Sequence, residues 1–131
     1  MRKQITATLI FLACAAALLA GGAALASPKK VAIPLDKIEK LKEIDGWAIL
    51  KVKELEIMFI RDAEESVRAF HPVCTHQKCK LGYNPKKKEI ECPCHESAFD
   101  LEGKPLKGPA KEPLKRYEAK LEGGRIIVTL E

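Results

Sequence analysis

Four of the five cysteines and two of the three histidines lie within the 22 residues from Cys74 to His95. They form two boxes, Cys74-Thr75-His76-Gln77-Lys78-Cys79 and Cys92-Pro93-Cys94-His95, separated by a polar loop. Thiolate sulfur and neutral imidazole nitrogen are the donors that suit zinc, copper and iron-sulfur centres, so this density implies a bound metal group. Structural zinc sites usually pair ligands of one type, and the mixed cysteine and histidine content of each box departs from that habit. Purely structural disulfides would leave His76 and His95 without a role. Each box instead offers one cysteine and one histidine at short separation, Cys74 with His76 and Cys92 with His95, plus a further cysteine, Cys79 or Cys94.

Loops of this kind need a rigid frame, and the rest of the chain reads as short strands. Val31-Ala32-Ile33 is a first strand, and apolar residues at 35, 38, 41 and 44 suggest one or two helical turns ended by Asp45-Gly46. Trp47 to Val52, Glu56 to Ile60 and Val67 to Phe70 are β-rich runs separated by polar turns, and Glu89-Ile90-Glu91 leads into the second box. Arg116 to Leu121 and Arg125 to Leu130 flank Gly123-Gly124, the strongest hairpin signal in the chain. Trp47, Phe59 and Phe70 are candidate core residues, and His71 is read as a strand-end surface or packing residue. No repeat or low-complexity stretch interrupts the pattern. The expectation is an antiparallel all-β domain that carries its metal boxes on two loops.

The chain has 131 residues, which allows one domain. Met1 to Gln4 is a short basic opening, and Ile5 to Ala26 are 22 residues without a charge. That length suits a membrane anchor, while Ala24-Leu25-Ala26 before Ser27 has the small-x-small form that signal peptidase cuts. Residues 1–26 are therefore read as a signal peptide or an N-terminal membrane anchor, with both left open, and Cys14 as a bystander within that segment. Basic residues flank only the N-terminal side, so the domain at 27–131 is expected outside the cytoplasmic membrane, exported or periplasmic. No long linker separates the apolar segment from the first strand. Without Arg2 and Lys3 the 23 basic residues become 21, against 18 acidic ones, a mildly basic balance. Lysine alternates with glutamate and aromatic residues are few, which argues against nucleic-acid binding and for a solvated mixed-charge surface.

The two boxes, CTHxxC followed by CPCHxSxFD, resemble those of a Rieske [2Fe-2S] iron-sulfur protein, and Gly108-Pro109-Ala110 fits the same family. The likeness covers residues 31 to 131, with the cluster-binding loops at about 72–112. It implies a Rieske-type antiparallel β sandwich with a small cluster-binding subdomain. It implies further that Cys74 and Cys92 bind one iron, that His76 and His95 bind the other, and that Cys79 and Cys94 form a disulfide. That bridge marks the cytochrome bc and b6f type, is missing from the ferredoxins of ring-hydroxylating oxygenases, and suits an oxidising compartment. Two neutral imidazoles in place of two thiolates remove negative charge, so the potential rises and electron uptake is expected to draw a proton to His76 or His95.

Ser97 stands where high-potential members keep a serine that donates to a bridging sulfide. Phe99 replaces a tyrosine donor common there, and Glu96 replaces the glycine after the second histidine, so both changes are expected to lower the potential. Gln77-Lys78 replaces an apolar residue and a glycine found at the tip of quinol-oxidising subunits. Lys78, Lys80, Lys104 and Lys107 offer a basic rim for an acidic partner. Pro105, Pro109 and Pro113 fit a rigid loop that covers the cluster. No catalytic residue is read, so the chain is expected to be an electron-transfer subunit rather than an enzyme alone. The resemblance points to the iron-sulfur subunit of a quinol-oxidising, cytochrome bc-like complex, with cytochrome-like redox partners and quinol. The alternative is a free-standing exported electron carrier, or a small subunit of another periplasmic oxidoreductase.

Overall fold

A computed structural model describes residues 26–131. The signal or anchor expected at 1–26 and Cys14 lie outside the described residues, Ala26 apart. Among the described residues no helix is long and apolar enough to cross a membrane.

Among the described residues eleven strands make three antiparallel sheets. In chain order they are β1 (Lys29–Pro34), β2 (Trp47–Val52), β3 (Leu55–Ala63), β4 (Ser66–Phe70), β5 (Gly82–Asn84), β6 (Glu89–Glu91), β7 (Ala98–Phe99), β8 (Pro105–Lys107), β9 (Arg116–Tyr117), β10 (Ala119–Glu122) and β11 (Arg125–Leu130). A basal sheet has the order β1-β11-β10, a central sheet β2-β3-β4-β9, and a third sheet β5-β6-β7-β8. The third sheet carries both metal boxes, at its entry and at its β6 to β7 connection.

The central sheet is buried on both faces, which explains why β3 reads as a continuous apolar run rather than an alternating one. Ile57 and Phe59 point into one core with Val67, Ala69, Ile126 and Val128. Met58 and Ile60 point into a second core with Phe70, Ile90, Phe99, Cys74 and Cys92. Phe59 and Phe70 are fully buried, whereas Trp47 is half-buried against the second core. The metal boxes thus rest on the same apolar layer that joins the third sheet to the central one.

The turns follow from local chemistry. Gly123 and Gly124 both have positive φ, 54° and 70°, as a two-residue hairpin between Glu122 and Arg125 requires. The apolar spacing of three from Leu35 to Leu41 forms two single-turn 3-10 helices, Leu35–Lys37 and Glu39–Leu41, whose three-residue period it matches. The run from Arg116 to Leu121 is not one strand. It divides at Glu118, so that β9 pairs with β4 in the central sheet and β10 with β11 in the basal one.

Polar ties lock the third sheet onto the frame. Arg68 on β4 donates to Asp62 at 2.8 Å and to Glu102, in the β7–β8 turn, at 2.7 Å, and Arg116 adds a second ion pair to Glu102. Burial works to raise the Asp62 carboxyl, but the bonds from Arg68 and Ser66 outweigh it and hold the group below the usual carboxylate range. In the same turn Gly103 has φ +81°, and a Cβ there would stand 3.1 Å from the Phe70 ring.

On the other side, the Tyr83 hydroxyl of β5 donates to Asp45 at 3.1 Å. Burial and that carboxylate push its pKa up to about 12. A phenol raised in the folded state stabilises the fold fully below its unfolded pKa of about 10, and this contribution is lost as pH rises through about 12. Thermal melts between pH 9 and 12 are expected to show a loss of stability that Tyr83→Phe reduces. A wild-type curve that superimposes on the variant's would remove Tyr83 as its source.

Candidate metal centre

The first box is a loop closed on itself. Leu81 N–H donates to Pro72 O at 3.0 Å, Cys74 N–H to Cys79 O at 2.8 Å, and Lys78 N–H to Cys74 O at 3.0 Å. The second box is closed where Cys92 N–H donates to Ser97 O at 2.8 Å. Cys79 and Cys94 form a disulfide with a Cα–Cα distance of 6.5 Å, tying the two loops as the resemblance implies.

That bond decides which sulfurs remain available. The Sγ atoms of Cys79, Cys92 and Cys94 lie within 4.8 Å of one another, but a disulfide has no thiolate to offer a metal. The free cysteines among the described residues are Cys74 and Cys92, each 2% exposed in the second core. Burial, then a hydrogen bond with Cys74, raises the Cys92 thiol, while the backbone of Cys94 and His95 works the other way. The imidazoles lie outside: His76 and His95 are exposed, with ring centroids 5.3 Å apart and planes at 90°. Two buried thiols beneath two exposed imidazoles match a donor set that divides between an inner and an outer iron, so the residues present fit a [2Fe-2S] group.

Residues 32–118 match the family model of the Rieske [2Fe-2S] domain. The chain belongs to the Rieske family. A relative named cytochrome b6-f complex iron-sulfur subunit, from Chlorobaculum thiosulfatiphilum, is 36% identical over 102 residues, covering 69% of this chain and 56% of that protein. The chain spans between 32% and 56% of the length of the iron-sulfur subunits of this name that it matches. Among solved structures, the cyanobacterial plasma membrane Rieske protein from Synechocystis PCC 6803 is 28% identical, covers 63% of this chain and 84% of that one, and superimposes with a TM-score of 0.57. The ferredoxin of carbazole 1,9a-dioxygenase from Nocardioides aromaticivorans, also 28% identical, has a TM-score of 0.64 and covers 79% and 98%. A Rieske-type [2Fe-2S] cluster is the cofactor of this domain.

The loop from Gly108 to Glu112, between β8 and β9, clasps both boxes. Ser97, 1% exposed, accepts a hydrogen bond from Ala110 N–H at 3.0 Å, and Thr75 Oγ1 donates to Glu112 O at 2.9 Å. Gly108 and Pro109, joined by a cis peptide, precede these anchors. Pro105 belongs elsewhere: expected in the covering loop, it is the first residue of the edge strand β8, where a missing N–H costs no ladder bond. His71 stands at the end of β4, its N–H bonded to Lys115 O at 2.9 Å. Of the expected basic rim, Lys80 pairs with Glu56 at 2.8 Å and Lys107 with Glu96 at 3.4 Å. A groove of about 710 Å³, which the sequence did not suggest, runs behind the second box, walled by Trp47, Pro93, Leu106 and Lys107.

Both departures from family glycines occupy left-handed backbone, Lys78 at φ 54° and Glu96 at φ 58°. A side chain in that region costs about 1–2 kcal/mol, which the glycine implied by the resemblance at each position would not carry. The Glu96 side chain is 83% exposed and faces Lys107, so water and a cation weaken its field at the imidazoles. Glu96→Gly and Lys78→Gly are each expected to leave stability unchanged or raise it by up to about 1 kcal/mol, after glycine's greater unfolded-state freedom is deducted. Urea midpoints test this, and a loss above that size would mean that side-chain contacts outweigh the backbone strain.

Phe99 is fully buried on β7, in the core that holds Cys74 and Cys92. Phe99→Tyr is expected to raise the reduction potential by supplying a donor to a cysteine sulfur. A hydrogen bond of about 1 kcal/mol corresponds to roughly 40 mV for a one-electron couple. An unchanged midpoint in a redox titration would mean that the hydroxyl does not reach sulfur.

Proposed function

We propose that this chain transfers single electrons as the iron-sulfur subunit of a quinol-oxidising, cytochrome bc-like complex on the outer face of a membrane. Cys74 and Cys92 hold the inner iron of its cluster, and His76 and His95 hold the outer one. When bound, the cluster supplies one-electron redox chemistry in the range of about −150 to +300 mV that Rieske centres span. The chain's own residues supply the rest. The second core excludes water from the thiolates, while the exposed imidazoles face a partner and give a proton direct access to solvent.

One observation carries the choice of subunit type. The Cys79–Cys94 bridge is the feature by which the resemblance separates bc and b6f proteins from oxygenase ferredoxins. The name cytochrome b6-f complex iron-sulfur subunit, carried by the relatives from two Chlorobaculum species, supports the same reading. On this reading the domain lies outside the cytoplasmic membrane, the electron leaves to a cytochrome-type partner, and residues 1–26 serve as anchor or export signal.

A second reading, a free-standing exported carrier or small subunit of another periplasmic oxidoreductase, is favoured by the loop tip. Gln77 and Lys78 are exposed and polar, where an apolar quinol pocket would call for an apolar tip. Electron paramagnetic resonance of the purified protein separates the two. A Rieske signal already present after ascorbate supports quinol oxidation. A signal that requires dithionite rejects it in favour of a low-potential carrier.

A further inference from the structure

Among the described residues Ser97 is the one buried polar side chain beside the second box, and only one of its three hydrogen-bonding positions is used. A serine hydroxyl has one hydrogen to give and two lone pairs to offer. One lone pair accepts the Ala110 N–H at 3.0 Å. The direction of Ala110 is thereby closed to the hydroxyl hydrogen, which must point elsewhere. Accepting a bond also polarises the O–H, which makes it a stronger donor in a medium of low dielectric.

Ala110 is itself held in place. It is 4% exposed in the second core, and two residues later the Glu112 carbonyl accepts the Thr75 hydroxyl of the first box. The loop from Gly108 to Glu112 is thus tied at its middle and at its far end, and its buried N–H reaches a buried hydroxyl next to the second box that has a hydrogen to give.

We propose that Ala110 is a positioning residue whose backbone N–H orients the Ser97 hydroxyl toward the cluster, so that the covering loop sets the reduction potential through Ser97. This rests on the Rieske reading of the site. It adds that the loop acts through a specific hydrogen bond and not by covering alone.

The test is a double-mutant cycle read by redox titration of the cluster-loaded protein. Ala110→Pro removes the N–H, Ser97→Ala removes the acceptor, and Ala110→Gly keeps the N–H as a control. Ala110→Pro is expected to lower the ratio of reduced to oxidised protein at fixed ambient potential by about three- to tenfold, where tenfold is 59 mV for one electron. The Gly variant is expected to match the wild type, and Ala110→Pro to add nothing in the Ser97→Ala background. An equal shift in both backgrounds would overturn the proposal in favour of water exclusion.

Amide hydrogen exchange gives a readout independent of potential. The Ala110 amide is expected to be protected in the wild type and to lose protection in Ser97→Ala, and unchanged protection overturns the proposal even where the Pro variant fails to load. Absence of any Rieske signal in the wild type would instead reject the Rieske reading, while the exchange data would still report on the bond itself.

Discussion

Cys74→Ser and His95→Ala are each expected to yield protein with no [2Fe-2S] cluster, its iron content falling close to zero. The cause differs between them. Cys74 is 2% exposed and bonded through its backbone to Cys79 and Lys78, so its sulfur has no room to be replaced by another donor. A serine hydroxyl there is a hard, neutral donor in a site built for thiolate. His95 is exposed, and on the proposed ligand assignment its loss would leave the outer iron with one protein donor fewer on the solvent side. Iron analysis with visible absorption tests both, and His71→Ala serves as the control that keeps its iron. Because metal binding is coupled to folding, circular dichroism should accompany the assay. A Cys74→Ser protein with strand content intact and full iron would remove the ligand assignment.

Opening the bridge with Cys79→Ser or Cys94→Ser is expected to have the second largest effect. The bonded residues are 15 apart in sequence, and closing a loop of that length stabilises by about 3 kcal/mol in the chain-entropy account. For a domain of this size that is a fall of roughly 10–20 °C in melting temperature. The two loops also lose their direct covalent tie, so the cluster is expected to bleach faster under dithiothreitol in the wild type and without it in the variant. A melting temperature and bleaching rate equal to the wild type's would mean that the Thr75–Glu112 and Ser97–Ala110 hydrogen bonds hold the loops by themselves.

Much of the frame was legible in the chain. The hairpin at Gly123-Gly124, the strands from Trp47 to Phe70 and the alternation at Glu89-Ile90-Glu91 are local signals, each carried by neighbours two or three residues apart. The third sheet was not legible as a sheet. Its strands β5, β7 and β8 have three, two and three residues, too short for a period-two pattern to register, and Gly82 and Pro105 argue against strands. The division of the chain at Glu118 was hidden for a related reason. Both halves alternate alike, and only their partners, Ala69 and Phe70 for one half and Val128 to Arg125 for the other, tell them apart.

The site divides along the same line. Residue types and spacing within Cys74 to His95 implied by themselves that a metal group is bound, because thiolate and imidazole are donors that suit such centres and no strand needs them at this density. Family likeness then named the group. Tertiary structure decided what the spacing does not contain: the cysteines Cys74 and Cys92 lie inside and the histidines outside, because the second core closes over one side of the loops alone. It also decided that Glu96 faces Lys107 and that Ser97 meets Ala110, contacts 11 and 13 residues apart in the chain. Ligand chemistry is a property of single side chains and can be read in order. Burial and second partners are properties of the space between segments, which exists only once the three sheets have packed.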